Sequence, residues 1–250
     1  MNYKKIIRIV SLTLALLAAL SFASCSRNRV GEMTDQSSVS KSGMDNTVKD
    51  NEHATLTRGY YNWVYSSAFS DFSSAVKVMK LPADLESGIS SLTEERKISH
   101  IRNIFLSMEF VAAIQTASEL ENGKSSYTHN VISASRISKG NYTLKMKFKV
   151  GSETYDKNYK LMLSEETRRA KLIENDNNGN EISFHEIIVT NDGYIAVNRC
   201  TKTGETWGVM QLMFKGGETP EGYCEIVSDF KETPKSIYEE SVYAGFAGKK

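Results

Sequence analysis

The sequence predicts an α+β fold in which two N-terminal helices pack on a curled antiparallel β-meander of about eight strands, half-barrel or barrel-like. Three observations predict it. Residues 56–122 carry apolar side chains at helical spacing. Residues 126–230 are punctuated by turn pairs at Lys139-Gly140, Gly151-Ser152, Glu165-Glu166, Asn178-Gly179, Asp192-Gly193, Thr203-Gly204 and Gly216-Gly217, about 11 to 15 residues apart. Between the turns side chains alternate, most plainly where Tyr142, Leu144, Met146, Phe148 and Val150 share one face and Thr143, Lys145, Lys147 and Lys149 the other. With 250 residues, 40% apolar and 24% charged, the chain fits one globular domain, 56–250, once an N-terminal leader and tether are set aside.

The leader occupies residues 1–24. Lys4, Lys5 and Arg8 precede an apolar run from Ile9 to Phe22, too short at about fourteen residues to span a bilayer comfortably. It closes on Phe22-Ala23-Ser24-Cys25. This arrangement resembles the signal peptide of bacterial lipoproteins, with Phe22 standing where that family usually has Leu. The resemblance implies that Cys25 receives a diacylglycerol, that the leader is removed and that the new amino group is acylated. It also implies a bacterial envelope location, on the outer membrane because Ser26 rather than Asp follows the cysteine. Two or more acyl chains hold a protein durably at a bilayer where one does not. Ordinary secretion with cleavage near Ala23 or Ser24 is the alternative, and it leaves the downstream reading unchanged. Residues 25–55 then read as the lipidated cysteine and a disordered tether, polar and without period, whose coil span is about 30 Å.

The first helix is expected over Leu56–Lys80, with Tyr60, Val64, Phe72, Val76 and Met79 in register and Pro82 ending it. Its aromatics read as core, with an apolar cavity lining as the functional alternative. The second is expected from a Thr93 cap to Gly123, with Glu94 and Glu95 at its positive end and Ile98, Ile101, Phe105, Met108, Ala112 and Gln115 along one stripe. Ile104, Val111 and Ile114 widen that stripe, so the face must be buried against something large. The meander supplies the partner. Its later strands, Ile182 to Val189 and Trp207 to Phe214, are apolar on both faces, which predicts cover on both sides and curling around a helix or closure toward a barrel. After Phe230 and Pro234, residues 236–246 are expected to form a short helix, with Ile237, Val242 and Phe246 available to dock. By element order alone the body resembles the half-barrel lipoprotein carriers of bacterial envelopes.

No motif for an enzyme is present: no Gly-rich phosphate loop, no His-Glu-x-x-His, no Cys-x-x-Cys and no Gly-x-Ser-x-Gly. His53, His100, His129 and His185 do not stand at ligand spacing from one another or from a cysteine. Residues 174–179 resemble a calcium loop for six positions but lack its terminal Glu, and read as a polar hairpin turn. No cofactor or metal is expected. Simple meander pairing places Cys200 near Trp207 and Cys224 near Met213, about 20 Å apart at ~3.3 Å per residue, so both thiols are expected to be unpaired.

Loss of Lys4, Lys5 and Arg8 takes the formal charge from +1 to −2, so net charge points to no nucleic-acid partner. Charge is nonetheless segregated. Residues 136–171 hold ten basic against four acidic side chains, and residues from Glu174 onward hold thirteen acidic against seven basic. The expected function is noncatalytic binding of an apolar or amphipathic ligand between sheet and helices, lined by Trp63, Phe72, Phe105, Trp207 and Phe214. The alternative is a surface interaction protein, an adhesin or antigen, that uses the basic flank of Lys145, Lys147 and Lys149; the same lysines also serve simply to keep a sheet face solvated.

Overall fold

The structure, a computed structural model, describes residues 50–124, 127, 130–150, 152–164, 168–190 and 192–237. Cys25, the leader, most of the tether and the helix expected beyond Ile237 lie outside the described residues. The chain divides into two compact units, Thr47–Phe148 with Thr154–Lys250, and Met1–Asn46 with Lys149–Glu153. The fold below is that of the first.

The opening helical run starts at Asp50, inside the stretch assigned to the tether. It comprises α1 (Asp50–Trp63), a π turn (Val64–Ala68) and α2 (Phe69–Ala75). Tyr60, Val64, Ala68 and Phe72 are all fully buried, and their four-residue spacing explains the π turn. Four residues overshoot an α-helical turn of about 3.6, so a straight α-helix would carry this stripe round by roughly 40° at each step. The wider turn absorbs the drift. Ser66 Oγ donates to the carbonyl of Asn62 at this point, a back-bond of the kind that bends helices.

Pro82 ends this run but also starts another helix. It occupies the N-cap of α3 (Ala83–Ile89), where its carbonyl accepts from the Glu86 amide at 2.9 Å and Asp84 and Glu86 fill the acidic first turn. The expected second helix is broken in two: α4 (Glu94–Phe105) and α5 (Met108–Glu121). Thr93 caps α4 as expected, and Ser107 caps α5 by accepting from the Phe110 amide at 3.2 Å. The apolar stripe runs through the break, which is why periodicity alone hides it.

The strands are β1 (Val131–Ser138), β2 (Asn141–Val150), β3 (Glu153–Ser164), β4 (Arg169–Asn175), β5 (Glu181–Val189), β6 (Ile195–Thr203), β7 (Thr206–Lys215) and β8 (Glu221–Phe230). They form one eight-stranded antiparallel sheet in strict sequence order. Lys139-Gly140, Asn178-Gly179, Asp192-Gly193 and Gly216-Gly217 separate consecutive strands, Thr203-Gly204 begins on the last residue of β6, and Gly151 and Glu165-Glu166 lie outside the described residues. The sheet does not close: β1 and β8 are its two edges, so the barrel expectation is corrected.

One face of the sheet meets the helices. Leu161, Leu163, Ala170, Leu172, Ile187, Val197, Leu212 and Phe214 all point there and belong to one core with Phe72, Phe105, Phe110 and Ile114. Arg199 Nη1 donates to the carbonyl of Asn103 at 3.1 Å, and Arg136 pairs with Glu121 at 3.3 Å. The opposite face of β5–β7 is buried as well. Tyr194, Ala196 and Met213 pack there with Ile237. The extended segment after β8 is pinned by Glu186, whose carboxylate is fully buried. It accepts from Ser236 Oγ at 2.8 Å and from the Ile237 amide at 2.9 Å, and it pairs with Lys171 at 3.0 Å. Two-sided strands thus have cover on both sides, and part of that cover is the chain's own tail.

Candidate functional site

The five aromatics expected to line one ligand site do not share a site. Phe72, Phe105 and Phe214 converge, with ring centroids 5.1 to 5.6 Å apart, and all three are fully buried. They fill the space between helices and sheet with aromatic contacts. Trp207 lies on the opposite face, 6.0 Å from Phe184 and grouped with Cys200 and Val209. Trp63 packs edge-on against Tyr60 at 5.3 Å, with the Arg168 guanidinium 5.6 Å from its ring.

An open cleft of mixed lining occurs instead among the helices. A cleft of about 360 Å³ is bounded by Val76, Met79 and Leu81 from the segment after α2, by Ile89 of α3 and by Ile98 and Ile101 of α4. Lys77, Glu86, Glu94 and Lys97 ring its mouth. Lys97 and Glu94 are closed on each other at 2.7 Å. No ion pair involves Lys77 or Glu86 among the described residues, which leaves the rim one cation and one carboxylate for a ligand. The sequence stripes contain Val76, Met79, Ile98 and Ile101. Leu81 and Ile89 lie outside those stripes, since Pro82 reads from sequence as the end of a helix and leaves the residues beyond it unassigned. The missed signal was Pro82 followed by Asp84 and Glu86, with Leu85 and Ile89 four residues apart.

Among the described residues a hydroxyl and an imidazole meet at Ser107 and His185, Oγ to Nδ1 3.3 Å. Both are buried, and Phe110 stacks at 4.6 Å from the imidazole. Ser107 Oγ also accepts the Phe110 amide, and His185 Nε2 is buried without a partner among the described residues. Burial, reinforced by the Arg199 charge, pushes the His185 pKa down to about 3. A base so weak and so enclosed is suited to holding the α5 cap against β5, not to accepting a proton from substrate.

Cys200 and Cys224 are free and buried. They pair across the strands with Val209 and Leu212, not with Trp207 and Met213 as simple turn counting suggested. Since 209 and 212 are an odd number of residues apart, the thiols lie on opposite faces of the sheet. Burial raises both; Cys224 is pushed up to about 12, and Cys200 is raised further by burial and the Glu186 charge. At 174–180 the turn is built by Asp176, whose carboxylate accepts from the amides of Asn178 and Asn180 at 2.9 and 2.8 Å.

Of the basic flank, Lys145 and Lys147 stand on the sheet face away from the helices, and Lys149 lies near the end of β2. Lys145 is paired with Asp156 at 3.0 Å. Among the described residues no helix is long and apolar enough to cross a membrane. No family model matches the chain, and neither a curated protein nor a solved structure matches it.

Proposed function

We propose that this chain is a noncatalytic envelope lipoprotein, tethered to a bacterial outer membrane through acyl chains on Cys25, whose body holds a polar-headed amphiphile. The observation that carries the ligand is the α2–α3–α4 cleft, where six apolar side chains meet Lys77, Glu86, Ser90, Glu94 and Lys97, a mixed lining that suits an amphiphile. Its volume of about 360 Å³ stands near the low end of ligand pockets, ~300 to 1,000 Å³. A single acyl chain suits it better than a two-chain lipid, with a polar head at the mixed-charge rim. This reading keeps the amphipathic ligand expected from the sequence and moves it from the sheet–helix interface to the helices, because aromatic rings fill the former place.

The tether rests on the lipoprotein-like run ending at Cys25. A half-barrel form of the sheet belongs to the same reading. It is supported by register shifts in the β1–β2, β4–β5 and β7–β8 pairings, since bulges bend strands and raise their twist. The noncatalytic reading is supported by the enclosure of the Ser107–His185 pair.

Native mass spectrometry of the full chain in mild detergent, titrated with lauroyl lysophosphatidylethanolamine, tests the ligand. A one-to-one adduct is expected, and it should disappear in Ile98→Trp, which fills the cleft. No adduct, or the same adduct in both proteins, would overturn the assignment.

A further inference from the structure

The helix cleft leaves a second concavity unexplained, on the opposite side of the sheet. A hollow of about 600 Å³ lies over β1–β4 and is flanked by the β4–β5 turn. Its side chains come in cross-strand pairs: Ser133 faces Lys145, Ser135 faces Thr143, and Asn158 faces Asn175. Lys160 stands beside Asn158 on the same face, two residues along β3. Hydroxyls, amides and ammoniums therefore project into this hollow among the carbon stems of the same side chains, whereas Leu144 and Tyr159, which also border it, are buried in the helix-side core.

We infer that this hollow binds an anionic polysaccharide. The charges favour an anion. Lys160 has no carboxylate partner among the described residues, nor has Lys147, which extends the same row two residues beyond Lys145. Lys145 is shared with Asp156 at 3.0 Å. The acid at the border, Asp176, is occupied by its own turn, accepting from two backbone amides and from Asn180 Nδ2 at 3.0 Å. Hydrogen bonds from that turn hold its carboxyl below the usual carboxylate range, so Asp176 stays an anion at the border, and the two lysines without carboxylate partners, Lys160 and Lys147, exceed it by one charge.

The floor favours a sugar. Adjacent hydroxyl and amide groups both donate and accept, which matches ring hydroxyls. No aromatic side chain is turned into the hollow to stack a nucleic-acid base, and none there is an apolar wedge for a bilayer. A volume of about 600 Å³ exceeds what one small anion fills. Charge attracts the chain and the hydroxyl–amide floor reads it, so binding weakens as salt screens the lysines.

Biolayer interferometry on the full chain in detergent, with heparin as the probe, tests this site. Dextran, inorganic sulfate and phosphatidylglycerol vesicles serve as comparison ligands. Heparin should bind in a salt-sensitive manner, and dextran and sulfate at least tenfold more weakly, on the scale of roughly 1.4 kcal/mol per decade. The Lys147→Gln, Lys160→Gln double variant should lose roughly tenfold in heparin affinity. Asp156→Asn, which releases Lys145, should bind more tightly than the parent, and Lys231→Gln, in the acidic half of the chain, should bind as the parent does. All of these positions are exposed, and unchanged melting curves verify that the fold is kept. Equal affinity in the double variant, an equal loss in Lys231→Gln, no gain in Asp156→Asn, or a loss seen with vesicles but not heparin would each overturn the inference.

Discussion

His185 shows at a single residue how burial writes a pH dependence into the fold. Its folded-state pKa, pushed down to about 3 by burial and then by Arg199, lies below the unfolded value of about 6.5. The folded protein thus needs the neutral ring. The associated stability is fully present above about pH 6.5 and is lost as pH falls toward 3, at roughly 1.4 kcal/mol per unit for one proton. Urea unfolding at pH 7.5, 6 and 5 should show this slope in the parent and its loss in His185→Phe, the range above about pH 5 being chosen to stay clear of most carboxylates. Identical slopes in both proteins would remove His185 as the source. The thiols give a second expectation at this scale. Cys200 and Cys224, buried and held protonated, should resist a maleimide in the folded protein and react when it is unfolded, as mass spectrometry of the labelled chain would read. Rapid labelling of either in the native state would contradict their placement.

Elements are joined at two points that substitution can probe. A Cβ on Gly216 would sit 2.7 Å from Asp71 Cα, because α2 lies directly on the β7–β8 turn with only a glycine between the backbones. Gly216→Ala should therefore cost about 1 to 3 kcal/mol, measured by chemical unfolding, and a neutral result would mean that α2 does not rest there. The tail is held by Glu186. Removing that carboxylate leaves the buried Ile237 amide without its acceptor and part-exposed Lys171 without its ion pair, so Glu186→Ala should cost about 1 to 3 kcal/mol. It should also expose residues 232–237 to hydrogen exchange ahead of the sheet. The strands were legible at this level because turn pairs and alternation are local signals: Lys139-Gly140, Asn178-Gly179, Asp192-Gly193 and Gly216-Gly217 each fall between two strands. The breaks in the helices were not. Ser107 and Pro82 act through backbone hydrogen bonds at single positions, while the apolar stripe continues across them. Likewise the five aromatic candidates were recognisable as buried, but Trp207 and Phe214 differ by an odd step along β7, which sends them to opposite faces. The cleft depends on α3, whose seven residues are too short to show a period.

Across the whole molecule, an open eight-stranded meander presents one face to a helical layer and the other partly to its own tail and partly to solvent. Two hollows follow from that division. One lies among the helices and the other over the lysine-bearing strands, the flank that charge segregation in the sequence marks. Neither requires a reacting group, as expected if the proposed role of holding ligands beside a membrane is right. The location itself rests on Cys25 and is open to direct measurement. Cells expressing the parent or Cys25→Ala are labelled with radioactive palmitate and partitioned in detergent. The account predicts label and detergent-phase partitioning for the parent, and an unlabelled, water-phase product for the variant. Equal label and equal partitioning in the two would contradict it.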